Sequence, residues 1–177
     1  ESATPITNAH LDTADNNADA DITTFYSTTG MDMTVNAGAG REFFVWAGST
    51  YAPGGNATVN TDMDVRGTVI STGGTVAVSG NFSISSGSID AITLTSGTST
   101  IAQTGGSITD FNINMSGTVK TLTSDLTILG NFSWTGFPGE LVSDGTLRTI
   151  NLQGNYTADN AYLGGAAGDS NLKLKFT

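Results

Sequence analysis

The sequence predicts an all-β protein, a right-handed parallel β-helix whose coils each take about 25 residues. Three observations lead to this prediction: a Gly that recurs at constant spacing, apolar residues that alternate with polar ones around it, and a composition rich in Gly, Ser, Thr and Asn. A β-sandwich is the alternative fold, because it also has many short strands and turns. Nothing in a sandwich requires a constant unit length, so the spacing favours the β-helix.

A short motif recurs along the chain: Gly, then Asn, then an aromatic or small residue, then Ser or Thr. The Gly positions of this register are Gly30, Gly55, Gly80, Gly105, Gly130 and Gly154. Their spacing is constant to within one position over the whole series. A unit of this length is typical of a solenoid, in which each unit stacks on its neighbours.

Apolar residues keep the same places relative to this Gly. Before it, Val76, Leu126 and Ile150 share one place in the repeat, and after it come Phe82, Phe132 and Tyr156. Polar residues lie between them, which is the period of a strand with one buried face. We therefore expect each motif to lie between two strands, with apolar side chains of successive units stacked on one another.

The place directly after the Gly of the motif is almost always Asn. It is occupied by Asn56, Asn81, Gly106, Asn131 and Asn155. Asn and Gly tolerate the left-handed backbone conformation that a corner in a coiled strand requires. The motif therefore predicts corners, with Asn81, Asn131 and Asn155 in a ladder along one edge of the rod.

The two ends of the chain differ from the middle. Residues 1–28 lack the motif and hold no Lys or Arg, so we expect an irregular acidic N-terminal cap or arm before the solenoid repeats of residues 29–177. At the other end, Leu172, Leu174 and Phe176 alternate with Lys173 and Lys175, the pattern of a strand. An exposed strand edge invites another chain to pair. These five residues are the predicted polymer-contact strand.

Charge and composition exclude several classes of function. The chain has 6 Lys and Arg against 16 Asp and Glu, so neither nucleic acid nor an anionic membrane is an expected partner. Without Cys there are no disulfides and no thiolate sites, and no apolar run reaches the ~18 residues of a membrane span. His10 is the single His, and the acidic residues share no column of the repeat. We expect no enzymatic activity.

One acidic run has oxygen ligands at calcium-like spacing. It consists of Asp15, Asn17, Asp19 and Asp21. The run departs from the EF-hand loop at Ala20, where Gly belongs, and at Tyr26, where a bidentate Glu belongs. A solvated acidic segment is therefore favoured over a Ca²⁺ site, and no other cofactor is expected.

Five Asn residues lie in sequons for N-glycosylation: Asn56, Asn81, Asn114, Asn131 and Asn155. Four of them occupy the corner position, which indicates turn chemistry, although corners also face solvent and are open to glycosylation. Three aromatic residues, Phe43, Phe44 and Trp46, are candidates for a sugar-binding platform or a contact patch. Because consecutive side chains of a strand point to opposite faces, at least one of Phe43, Phe44 and Val45 should face outward.

The run TLTSDLTILGNFSW and its shorter echoes resemble the repeat-rich parallel β-helix surface proteins of bacteria and archaea, which are adhesin-like or cell-envelope proteins. The resemblance covers residues 29–177 and implies an architecture and a location outside the cell or on its surface, but no functional residue. We expect a structural subunit that assembles with itself, head to tail or by strand exchange, into a filament, sheath or surface layer. The alternative is a segment of an adhesin or a carbohydrate-binding stalk, with glycans as partners.

Overall fold

The structure of the protein is a computed structural model. It describes residues 10–12, 24–36, 42–71, 74–95, 97–114, 119–136, 139–159, 162–163 and 171–177. Every regular element within these ranges is a β-strand. None of the described residues belongs to a helix of the length and apolarity that crosses a membrane.

The described residues form nineteen strands, numbered in chain order. They are β1 (His10–Asp12), β2 (Thr24–Asn36), β3 (Glu42–Val45), β4 (Thr50–Val59), β5 (Asp62–Val65), β6 (Thr68–Val69), β7 (Val76–Val78), β8 (Phe82–Ile84), β9 (Ser88–Leu94), β10 (Ser99–Gln103), β11 (Ser107–Asn114), β12 (Val119–Leu122), β13 (Leu126–Ile128), β14 (Phe132–Thr135), β15 (Glu140–Ser143), β16 (Arg148–Leu152), β17 (Tyr156–Ala158), β18 (Tyr162–Leu163) and β19 (Leu172–Phe176).

These strands form two parallel sheets. Sheet A has twelve strands along the path β1-β2-β4-β6-β9-β11-β13-β16-β19, with β7, β14 and β17 beside it. Sheet B has seven strands in the order β18-β15-β12-β10-β8-β5-β3. One coil runs from β12 in sheet B through β13 and β14 in sheet A and returns to sheet B at β15. The fold is a β-solenoid of about six turns, which confirms the predicted fold class.

The core is made of inward-facing side chains that stack from coil to coil. One column in sheet A is fully buried and contains Val35, Val59, Val78, Leu94, Ile113 and Trp134. Beside it, the ring centroids of Phe111 and Phe132 are 5.8 Å apart, and those of Phe132 and Tyr156 are 5.3 Å apart. Burying a side chain of this size contributes about 1.5–3 kcal/mol, so these columns supply most of the stability.

The coils are shorter than the motif predicts over most of the solenoid. Met63 pairs with Phe82, and Ile101 pairs with Leu122, so the parallel strands stack about 20 residues apart. Only toward the ends does the sequence separation reach 24, as between Asn131 and Asn155. The length of a coil is the sequence separation between residues that pair in adjacent coils. The Gly motif marks turns, and each coil has several turns, so the distance between two motifs need not equal one coil.

The motif therefore marks corners of different sheets, and the predicted ladder of Asn81, Asn131 and Asn155 is wrong in part. Asn81 precedes β8 of sheet B, whereas Asn131 and Asn155 precede β14 and β17 of sheet A. Asn131 and Asn155 are neighbours in adjacent coils, because Phe132 pairs with Tyr156. Val76, likewise, pairs with Ala57 and does not share the column of Leu126.

The motif glycines lie at points of close approach between coils. A Cβ on Gly154 would lie 2.2 Å from the carbonyl oxygen of Gly130, and one on Gly80 would lie 2.4 Å from the carbonyl carbon of Thr61. The corner interpretation expected a positive φ at the place after this Gly, and Gly106, which occupies that place, has one, at +69°, whereas Gly80 and Gly154 do not. Gly is required at Gly154 and Gly80 because the backbones pass too close for any side chain.

Residues 1–28 are described only in part. β1 and the first residues of β2 fall within them and pair as parallel strands of sheet A, His10 with Thr34 and Thr24 with Thr50. The remaining residues before 24 lie outside the described part of the chain.

Candidate functional site

The three predicted contact aromatics lie at the edge of sheet B. Phe43 and Val45 of β3 are buried, Phe44 between them faces outward and is half-buried, and Trp46 is 44% exposed. This alternation follows from strand geometry and confirms that the run cannot face one interior. Phe43 thus belongs to the core, and Phe44 and Trp46 remain as surface residues.

Phe44, Trp46 and Arg66 form one surface cluster, here named the aromatic patch. The two rings are stacked, with centroids 5.0 Å apart and planes 14° apart. The Arg66 guanidinium carbon lies 4.9 Å from the Phe44 centroid and 5.4 Å from that of Trp46, within cation–π range. Arg66 also forms an ion pair with Asp64, at 2.8 Å from Nη2 to Oδ2. These contacts hold the exposed indole in a fixed orientation.

Three carboxylates border the aromatic patch: Glu42, Asp62 and Asp64. Register places Glu42 beside Asp62 and Phe44 beside Asp64. Asp62 accepts two bonds from Asn81, at 2.8 Å from the backbone N–H and 2.9 Å from Nδ2. Asp64 accepts the Ser83 hydroxyl at 2.8 Å. Burial raises the pKa of Glu42, and the charges of Asp64 and then Asp62 raise it further. Three carboxylates beside the single guanidinium of Arg66 therefore give the surroundings of the patch an excess of negative charge.

The predicted calcium run, Asp15, Asn17, Asp19 and Asp21, lies outside the described residues. Within the described ranges, no three His, Cys, Asp or Glu side chains are placed so that they could hold a metal ion.

The sequon asparagines of the corners connect successive coils. Asn131 Oδ1 accepts the backbone N–H of Asn155 at 3.2 Å, and Asn81 Oδ1 accepts that of Thr100 at 2.8 Å. Asn56 Oδ1 accepts that of Thr75 at 3.2 Å. At a corner the backbone N–H is directed away from the strand ladder, and a side-chain oxygen of the previous coil satisfies it. Asn114, the fifth sequon residue, is exposed at the end of β11.

Aspartates, which were not among the predicted site residues, continue these connections. Asp32 Oδ1 accepts the N–H of Asn56 at 3.0 Å, Asp62 that of Asn81, and Asp110 that of Asn131 at 2.7 Å. The sequence separation of Asp110 and Asn131 is 21. The available signal was an Asp or Asn about one coil before each corner. The spacing of the Gly motif is longer than most coils, so it does not lead to these residues.

Lys120 is a second residue that was not predicted. It is fully buried on β12, on the same face as Leu122. Its Nζ donates to the carbonyl oxygen of Gly97 at 2.9 Å and to the Ser99 hydroxyl. Burial lowers the pKa of Lys120 to about 8. The available signal was that Lys120 lies two residues before Leu122 in a strand, because residues two apart share one face.

The predicted polymer-contact strand is β19, the last strand of sheet A. Leu172 and Leu174 are half-buried and pack on the core, while Lys173, Lys175 and Phe176 are exposed, Phe176 by 62%. The carbonyl of Asn171 and the N–H of Thr177 bond to β16, at 2.8 and 3.0 Å. Backbone groups of a parallel strand point alternately to its two sides, so those of Leu172, Leu174 and Phe176 point to the side on which no described strand lies.

Comparison of the chain with protein families, with curated proteins and with solved structures finds no match.

Proposed function

We propose that the protein is a structural subunit located outside the cell, and that its solenoids stack end to end into a filament, sheath or surface layer. One observation carries the proposal: the backbone groups of Leu172, Leu174 and Phe176 in β19 face a side without a described strand. Such groups pair readily with a strand from another chain. A second copy would supply that strand by adding its first coil to the ladder.

Side chains at this end support the same arrangement. Leu172 and Leu174 already pack on the core but stay half-exposed, so a further coil would complete their burial. The basic residues Lys173 and Lys175 are exposed here, whereas Glu42 and Asp62 lie on the edge strand β3 and its neighbour β5 at the opposite end of sheet B. Contact between unlike ends is heterologous and leads to open polymers unless it closes into a ring.

Two substitutions of Phe176 test the proposal. Phe176→Pro removes the N–H that faces the open edge and spares the bonds to β16, and Phe176→Asp adds a charge to the contact. Leu147→Asp is the matched control, because Leu147 is an exposed apolar residue, 49% accessible, in the turn before β16, one strand in from the edge strand β19.

Sedimentation velocity and electron microscopy over a range of protein concentrations give the readout. We expect wild type and Leu147→Asp to form long polymers, and both Phe176 variants to stay as short rods with unchanged circular dichroism. Wild-type protein that stays as monodisperse short rods at every concentration and salt condition would contradict the proposal, as would polymers of Phe176→Pro equal to those of wild type.

A further inference from the structure

We propose that the aromatic patch of Phe44, Trp46 and Arg66 binds an uncharged polysaccharide, with a pyranose ring seated on the Trp46 indole. This inference concerns the outer face of sheet B and does not depend on end-to-end stacking. It rests on three features of the patch: a rigid exposed ring, oriented polar groups beside it, and the sign of the local charge.

The indole of Trp46 presents a fixed apolar plane. Trp46 is 44% exposed, and the Phe44 ring is stacked beside the indole with ring centroids 5.0 Å apart. A large ring already held in place loses little conformational entropy when a ligand covers it. Pyranoses expose flat faces of C–H groups, which suit an aromatic ring that is apolar on its surface and bordered by water.

The groups around the ring supply both donors and acceptors. Arg66 uses Nε and Nη2 for Asp64, at 2.9 and 2.8 Å, which leaves further N–H donors of its guanidinium. Asp62 is held by Asn81, and its carboxylate has more acceptor sites than these bonds use. Asp64 is buried and already accepts from Arg66 and Ser83, so it positions Arg66. Sugar hydroxyls act as donors and acceptors at once, so they match a mixed set of this kind. Ligand sites typically combine apolar area with a few such groups.

The local charge selects among glycans. Glu42, Asp62 and Asp64 outnumber the single guanidinium of Arg66. Uronic, sialylated or sulfated chains would be repelled by this excess of carboxylates. An uncharged chain meets no such repulsion. Arg66 is already paired with Asp64, so the patch needs no negative charge from the ligand.

Affinity electrophoresis in native gels tests the inference with defined polymers. The gels contain mixed-linkage β-glucan, galactomannan or xylan as neutral polymers, polygalacturonate as the acidic polymer, and chitosan as the cationic polymer. We expect at least one neutral polymer to slow the wild-type protein and polygalacturonate to have no effect. Trp46→Ala should weaken retardation at least tenfold, while Leu147→Ala, a control at another exposed apolar residue, should bind like wild type.

Tryptophan fluorescence gives a second readout, because Trp134 is fully buried and only Trp46 is accessible. A shift on adding the retarding polymer should vanish in Trp46→Ala. The Phe176→Asp variant should bind as wild type does, which separates this site from assembly. The proposal is overturned if no neutral polymer slows the protein, if chitosan alone does so, or if Trp46→Ala binds unchanged with its fold intact.

Discussion

At the residue scale, Lys120 is the most unusual feature of the interior. Its register neighbours in sheet B are Ser99 and Leu141, and its amine is enclosed with two acceptors, the carbonyl of Gly97 and the hydroxyl of Ser99. No carboxylate is among these bonded partners. Burial without a counter-charge disfavours the ammonium form, which is why the pKa falls to about 8.

The stability of the protein should therefore increase with pH between 8 and 10. The unfolded chain holds this proton up to its ordinary pKa of 10.5, so in that interval it binds more protons than the folded chain, and the free energy of unfolding rises. From pH 7.5 to 9.5 we expect a gain of about 2 kcal/mol, measured by urea unfolding.

Lys120→Met is the control for this prediction. It should unfold with little pH dependence over the same range and be at least as stable as wild type at pH 7.5, because replacement of a buried charge by an apolar side chain is often neutral or stabilising. Burial raises the pKa of Tyr51, so ionisation of this Tyr in the unfolded chain lowers the free energy of unfolding. That effect begins only above about pH 10, outside the measured range. A wild-type curve that is flat or falling from pH 7.5 to 9.5 would show that the amine is not desolvated.

Gly154 gives a second prediction at this scale. In Gly154→Ala the new methyl group would meet the Gly130 carbonyl oxygen at 2.2 Å, a backbone atom that cannot rotate away. We expect a loss of about 2–4 kcal/mol in the free energy of unfolding. Gly48→Ala is the comparison, because Gly48 has a φ of +81° but open space around its Cβ position, and it should lose only about 1 kcal/mol. Equal losses would rule out close approach as the reason for Gly154.

At the element scale, the side-chain ladders at the corners keep the coils in register. They run from Asp32 to Asn56 to Thr75 on one corner and from Asp62 to Asn81 to Thr100 on another. A backbone N–H at a corner has no partner in a neighbouring strand. The side-chain ladder therefore accepts hydrogen bonds from donors that the two sheets do not satisfy.

Asn131→Ala tests this role. The variant leaves the Asn155 N–H to solvent and removes the bond from Asn131 Nδ2 to Asp110, so we expect a loss of about 1 kcal/mol in urea unfolding. Asn114→Ala removes a sequon Asn at the exposed end of β11, outside these ladders, and it should cost less than about 0.5 kcal/mol. A ladder role would be refuted by an Asn131→Ala variant as stable as Asn114→Ala.

The elements also show what the sequence could predict. Alternation around Phe132 and Trp134 predicted buried strand faces, and both side chains are fully buried, because strand period is a local property. The coil length was not predictable from the motif, since Gly80 and Gly130 mark corners of two different sheets. Corner chemistry is alike wherever the chain turns, and only the pairing across coils distinguishes one corner from another. The contact of Arg66 with Phe44 and Trp46 likewise depends on β5 lying beside β3.

At the scale of the whole molecule, the solenoid predicts the diffraction of any polymer it forms. Stacking coil on coil places strands across the long axis at about 4.8 Å. The ladder of sheet A has nine described strands along its path, so one subunit adds roughly 43 Å to the axis. Aligned fibres should give a meridional reflection at about 4.8 Å and an axial repeat of about 43 Å. Fibres with a subunit repeat but no meridional reflection of that spacing would indicate side-by-side packing instead.

Every strand pairing described in the solenoid is parallel, and this gives the rod a direction. Because the ladder cannot be continued after turning a subunit round, a polymer built by continuing it has no two-fold axis across its length. Its two tips differ chemically, so subunits would add to them at different rates, as at the plus and minus ends of a cytoskeletal filament. In a layer of such polymers that all point the same way, the two edges at which the polymers end would differ chemically.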